Sequence, residues 1–341
     1  MPTSSRRRRS NDPCWCGSGA KFKRCHGDLG AFERSTVQLG RVSPRRPVPP
    51  HLTPPDYVTG GEITTDLGPQ ILTGADLDQA RTAGRIAAEV LELTCAAVAP
   101  GVTTDQLDVI AHDAFVERGA YPSTLGYRGF TKAVCTSVND VLCHGIPDDR
   151  PLREGEIVNI DVTGYHDGFH GDTSATVAVG EVSDALQGLV DATRDCTLLG
   201  IAEVRPGSTL RDVATAIERR AAWYGYSVVP HFGGHGIGRT FHADPHVHHT
   251  ARDRWSFPGA QDDRDTVLVP GLTFTVEPML NVGDTGSSCA DDGWTEFTLD
   301  GLPSAQFEHT VTVTESGVEI LTLTGAGTSP AGALDLEATN G

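Results

Sequence analysis

The chain has 341 residues with a net charge of −18, yet residues 1–50 carry eleven Lys/Arg against three Asp/Glu, a net of +8 that leaves −26 on the rest. The length is enough for a full hydrophobic core without disulfide staples, and no apolar run reaches the ~20 residues of a membrane span. The acidic bulk excludes nucleic-acid binding by general electrostatics, whereas the basic head suits an anionic partner.

Residues 1–29 form the head. Arg6-Arg7-Arg8-Arg9 has no apolar core of 7–15 residues behind it, so no secretory signal and a cytoplasmic location are expected. Three of the eight Cys crowd into residues 14–25, while Cys95, Cys135, Cys143, Cys196 and Cys289 are scattered. That is not a disulfide framework. Cys14, Cys16, Cys25 and His26 supply four soft ligands within thirteen residues, enough for a closed tetrahedral zinc site whose metal would provide the folding energy of so short a piece. Lys21, Lys23 and Arg24 add to the basic surface.

Residues 30–73 are rich in Pro (Pro44, Pro47, Pro49, Pro50, Pro54, Pro55) with little hydrophobic periodicity. They read as an extended linker or arm, either a partner-binding polyproline stretch or a strap on the body. Residues 74–325 read as the folded body, and the Gly, Ala and Ser content of 326–341 predicts a frayed tail.

Within the body, Leu77, Ala80, Gly84, Ala87, Leu91 and Val98 recur at helical spacing, as do Leu107, Ile110, Ala111, Ala114 and Phe115. The second run follows Pro100-Gly101 and a Thr103/Gln106 pair that predicts a capping box. The pattern then returns: Pro206-Gly207, Thr209 with Asp212, and Leu210, Val213, Ala214, Ile217 and Ala221. Cys143-His144-Gly145-Ile146 is echoed by Gly234-His235-Gly236-Ile237, Gly155 precedes Asp161 as Gly271 precedes Glu277, and the strand from Asp172 is echoed by the strand from Glu308. Four echoes in one order predict an α+β body of two pseudo-twofold halves sharing a sheet.

Strand alternation puts Val158, Ile160 and Val162 on one face and Asp161 on the other; Asp172, Glu277 and Glu308 likewise oppose apolar neighbours. A twofold axis would bring the four carboxylates together. Four anions in one semi-buried site need a compensating cation, and with His235 as nitrogen ligand there are donors for two divalent ions.

These stretches resemble type 1 methionine aminopeptidases over about residues 74–325: Cys-His-Gly-Ile-Pro (143–147), Asn-Ile-Asp-Val-Thr (159–163), Gly-Asp-Thr-Ser (171–174), Gly-His-Gly-Ile-Gly-Arg (234–239), Phe-His-Ala-Asp-Pro (241–245), Phe-Thr-Val-Glu-Pro-Met (274–279) and Ala-Gln-Phe-Glu-His-Thr (305–310). The resemblance implies the pita-bread fold and a monomer that removes the initiator Met of nascent proteins when the second residue is small. It implies Asp161, Asp172, His235, Glu277 and Glu308 as ligands of two Co, Mn, Fe or Zn ions, with Asp172 and Glu308 bridging. It further implies proton transfer by His144, a hydrogen bond from His242 to the scissile carbonyl oxygen, and Glu277 as proton relay. Tyr127, Phe130, Cys135, Phe241 and Trp294 align with the family's Met pocket, with Phe130 where a Tyr is common. The segment from Thr250 to Asp265, with Trp255 and Phe257, is longer than usual for the family. The head resembles the SEC-C zinc motif, which implies a structural zinc and, with its basic residues, docking to the ribosome.

Overall fold

Two turns of the same chemistry start the second helix of each half. The computed structural model describes residues 8–34, 36–61, 63, 68–252 and 262–334; Arg6, Arg7, Trp255, Phe257 and the tail beyond 334 lie outside the described residues. Gly101 and Gly207 turn the chain with φ of 89° and 85°, left-handed values that a side chain resists. Thr103 then accepts from the Gln106 N–H at 3.1 Å, and its own N–H donates to Gln106 Oε1 at 2.8 Å. Thr209 repeats this with Asp212 at 3.3 and 2.8 Å. Each box satisfies two helix-end donors and contributes about 1 kcal/mol. The same threonines make isolated bridges to Pro151 and Val267, each four residues before the glycine that leads into a central strand.

The helices are α1 (Gly74–Ala96), α2 (Thr104–Glu117), α3 (Asp184–Ala202) and α4 (Leu210–Tyr224). The strands that build the site are β1 (Cys135–Val138), β2 (Ile157–His166), β3 (Phe169–Ala178), β4 (Gly234–Gly236), β5 (Ala243–Val247), β6 (Thr273–Val276) and β7 (Ser304–Val313). They run in the antiparallel order β1-β2-β3-β7-β6-β4-β5. Val158, Ile160, Phe274, Val276, Phe307 and Val311 from the sheet share one core with Leu91, Phe115, Leu189, Val213 and Ile217 from the helices, all fully buried. Each such side chain contributes roughly 1.5–3 kcal/mol. Where α1 crosses β3, a Cβ on Gly171 would lie 2.5 Å from the Gly84 nitrogen, so the backbones approach this closely because residue 171 lacks a side chain.

The twofold relation holds with two corrections. Across the β3–β7 seam Thr173 faces His309 and Ser174 faces Glu308, so Asp172 and Glu308 flank the axis on opposite sides. In the first half Asp161 faces Ser174, but in the second half Thr275, not Glu277, faces Thr310. Glu277 therefore lies two residues further along than the repeat predicts, in the break between Val276, paired with His309, and Met279, which resumes pairing with Gln306 of β7 in the same register. The echo of His144 in His235 is not a spatial one. Cys135 faces Asp161 in β1–β2, and extending the Gly236–Phe274 pairing by one residue sets His235 opposite Thr275; the counterpart of His235 is Cys135.

The proline-rich stretch lies on the first half. Val37 N–H donates to Asp140 Oδ1 at 3.1 Å, Arg41 N–H to Asp149 Oδ1 at 2.7 Å, and Ser43 Oγ to Asp105 Oδ1 at 2.7 Å. Lys132, 1% exposed, bonds Asp105 and Ser43 from below. At the arm's end the Tyr57 hydroxyl donates to the Ser123 carbonyl, and its ring meets Tyr127 edge-on at 5.2 Å. The chain also stays packed beyond residue 325, contrary to the expected fraying: Ala331 is fully buried, and His309 Nε2 lies 3.1 Å from the Gly332 carbonyl. Arg264, 1% exposed, donates to the Thr250 and Arg252 carbonyls and to Asp262, while Arg211 of α4 holds the Ala251 carbonyl and Asp265. Among the described residues no helix is long and apolar enough to cross a membrane.

Candidate metal centre

Asp161 of β2, Asp172 of β3, His235 of β4, Glu308 of β7 and Glu277 just past β6 all line one cavity of about 410 Å³ on the sheet face opposite the helices. Donor atoms of Asp172, His235 and Glu308 lie within 4.8 Å of one another. His235 Nδ1 is 3.1 Å from the Gly236 carbonyl, so it carries the ring proton and leaves Nε2 bare. Nε2 faces Asp172 Oδ2 and Glu277 Oε1, each at 3.7 Å. Neighbours orient the carboxylates: Thr163 donates to Asp172 at 2.8 Å, Thr275 to Glu277 at 2.6 Å and Gln306 to Glu277 at 3.2 Å.

The electrostatics call for a cation. Burial pushes Asp161 up to about 7 and Glu277 up to about 8. Burial, then repulsion from the neighbouring carboxylates, holds Asp172 and Glu308 well above the usual range. The same burial pushes His235 down to about 4, so the ring is a neutral ligand. A set of oxygens that cannot all ionise alone, plus one neutral nitrogen, fits hard or borderline divalent ions.

Glu277 depends on a residue that sequence reasoning passed over. Its N–H, outside the β ladder, donates to His249 Nε2 at 3.2 Å. His249 is 2% exposed, and burial holds it down to about 3, so it is a neutral acceptor. No sequence pattern announced it, because Pro278 removes only its own N–H and says nothing of the partner of the Glu277 N–H.

Tyr127, Phe130, Cys135, Phe241 and Trp294 form an aromatic wall of the cavity. Phe130 meets Trp294 edge-on at 5.1 Å, and Tyr127 meets Phe241 at 4.9 Å. Phe232 and Met279 complete it; both went unnoticed because neither lies at a spacing that marks a shared face with the others. His144, with φ of 56°, sits edge-on to Phe232 and Trp294, and burial pushes it down to about 4. His242 lies 4.2 Å from the His235 ring, and its buried Nδ1 has no hydrogen-bond partner among the described residues. At the other end of the chain, donor atoms of Cys14, Cys16, Cys25 and His26 also lie within 4.8 Å of one another.

Comparison with known proteins agrees with this geometry. The model of metallopeptidase family M24 matches residues 78–315, and that of the SEC-C motif matches residues 11–28. The chain is 48% identical to methionine aminopeptidase 2 of Mycobacterium tuberculosis over 289 residues, covering 85% of this chain and 98% of that protein. It is 49% identical over 263 residues to the methionine aminopeptidase of Salmonella typhimurium, covering 76% and 96%. Among solved structures, methionine aminopeptidase from Rickettsia prowazekii superposes with a TM-score of 0.70 at 44% identity, over 75% of this chain and 100% of that one. Prolidase from Pyrococcus furiosus, 20% identical with a TM-score of 0.59 over 75% of this chain and 66% of that one, shares the fold alone. The pita-bread body, the convergence of four carboxylates and His235 in one cavity and these likenesses have one common meaning: the chain belongs to metallopeptidase family M24, among the methionine aminopeptidases.

Proposed function

We propose that this chain removes the initiator methionine of nascent proteins when the second residue is small, with Asp161, Asp172, His235, Glu277 and Glu308 holding two divalent ions, for which Co, Mn, Fe and Zn all suit the donor set. The carrying observation is that four carboxylates and one imidazole converge beside an aromatic wall in one cavity. Ions bound there supply Lewis-acid activation of a water and of the scissile carbonyl.

The chain's own residues do the rest. The wall of Tyr127, Phe130, Cys135, Phe241 and Trp294 accepts a flexible thioether side chain and sheds its water. His242, neutral and with a ring nitrogen lacking any partner among the described residues, donates to the carbonyl oxygen as negative charge develops. His144 moves the proton at the amine end, and Glu277 relays it. The test is a peptide panel with metal-supplemented protein. Cleavage of Met-Ala and Met-Ser peptides in preference to Leu-Ala is expected; preferential cleavage of Xaa-Pro bonds would replace this reading with a prolidase-type one, and no cleavage would leave a binding protein.

The domain reading follows: a zinc-binding head at 1–29, an arm at 30–73 and a catalytic body from 74. The head holds one structural zinc on Cys14, Cys16, Cys25 and His26. Its exposed Arg9, Lys21, Lys23 and Arg24 suit an anionic partner, with the ribosome as the place where nascent chains are met.

A further inference from the structure

The head is seated on α3 and α4, and one of the residues that would bind its zinc, His26, itself touches the body. His26 points Nδ1 at the sulfurs of Cys14 and Cys25, 3.2 and 3.3 Å away, and Nε2 at the Asp184 carbonyl in the first turn of α3, 3.2 Å away. A metal on Nδ1 forces the ring proton onto Nε2, where it donates to that carbonyl; a metal-free ring is under no such constraint. The ring rests on Gly188, where a Cβ would lie 2.5 Å from Nε2 and 3.0 Å from Trp15. Trp15 in turn packs 4.1 Å from His26 and edge-on to Tyr224 of α4 at 4.9 Å.

A second observation comes from the body's side. Tyr226 is 5% exposed, and its hydroxyl has no hydrogen-bond partner among the described residues. With Phe22, His26 and Gly27 of the head it lines one cleft. A buried hydroxyl is costly without an acceptor. Further out, Arg8 lies over the Trp223 ring at 4.6 Å, and the Phe22 ring covers Gly225, where a Cβ would meet it at 2.3 Å.

We propose that the Cys14–Cys16–Cys25–His26 cluster is a latch: metal occupancy of the head and its docking on α3 and α4 are linked, so that losing either weakens the other. Linkage of this kind is reciprocal. The head is then a fixed part of the second half, and its basic surface is presented in one orientation. The latch rests on the reading of the cluster as a metal site.

The experiment uses the full chain, with manganese supplied to the catalytic centre. Zinc stoichiometry, zinc loss to a chromogenic chelator, and amide exchange of residues 184–192 and 224–228 are measured for wild type, Cys16→Ser/Cys25→Ser and Gly188→Ala. Gly188→Ala alters no ligand, its methyl is nearest to His26 and Trp15, and retained Met-Ala cleavage certifies a folded body. Helix propensity alone predicts that this alanine firms α3. The latch predicts the reverse: amide exchange and zinc loss both rise roughly tenfold or more, and the double serine variant shows the same exchange increase with no zinc in the head. Absence of zinc from the wild-type head sinks the metal reading and the latch with it. Zinc that is present and lost in the double variant, together with wild-type exchange and retention in Gly188→Ala, overturns the latch alone.

Discussion

The two ligand clusters of this chain are built in opposite ways. At the catalytic centre the candidate donors span residues 161 to 308 and stand on, or in the case of Glu277 just past, strands whose other face is fully buried against helices. In the head, all four donors fall within thirteen residues that have little core of their own. On the proposed reading the fold makes the metal site in the first case, and in the second the metal makes the fold. A ligand lost from the body should therefore cost chemistry, and one lost from the head should cost structure.

The sharpest way to break this contrast is Asp172→Asn, which removes a ligand but keeps a partner for Thr163. Loss of at least ~10³-fold in peptidase activity is expected, with secondary structure and melting cooperativity unchanged by circular dichroism; a collapsed melt would mean that the sheet depends on its ions. Next in size is His249→Ala, for which a 10–100-fold loss of metal affinity is expected, typical of groups that orient ligands. His249→Gln, whose Oε1 can accept the Glu277 N–H, should recover much of it; equal losses in the two variants would assign His249 to packing.

Acidity sharpens the comparison further. His170, His249 and His309 are pushed by burial down to about 3, 3 and 4, against 6.5 in an open chain. Because these folded values are depressed, their contribution is complete above pH 6.5 and is lost as pH falls toward 4, by roughly 1 kcal/mol per histidine per pH unit. Asp161 and Glu277 work the other way. Raised to about 7 and 8, they favour the metal-free fold at low pH and lose that contribution as pH rises through 7–8. Chelation should thus lower the melting temperature more at pH 8 than at pH 5, and a pH-independent difference would show that the carboxylates are not what the ions relieve. The smallest effect is expected from Phe130→Tyr: a few-fold change in KM with kcat held, since the edge contact with Trp294 survives and only a hydroxyl is added.

Much of this architecture was legible because the sequence carries it locally. The capping boxes at Thr103 and Thr209 each need only a four-residue window, and the face on which Asp161 lies follows from the alternation of Ile157 to Thr163. What escaped was set by contacts between distant segments. The two-residue offset of Glu277 and the correspondence of His235 with Cys135 are visible only in strand register. The arm gave no periodic signal because it is held by polar bonds from its backbone to Asp140 and Asp149 and by Ser43 and Arg45. The order of residues 326–334 depends on His309, whose partners Thr322 and Gly332 nothing in a Gly- and Ser-rich stretch announces.

The clamp formed by Arg264 and Arg211 has an engineering consequence. By tying the carbonyls of Thr250, Ala251 and Arg252 to Asp262 and Asp265, it anchors the segment that carries His249 to α4. The hold of His249 on the Glu277 N–H can then be tuned from the surface, by Arg211→Lys, without altering any residue that lines the cavity.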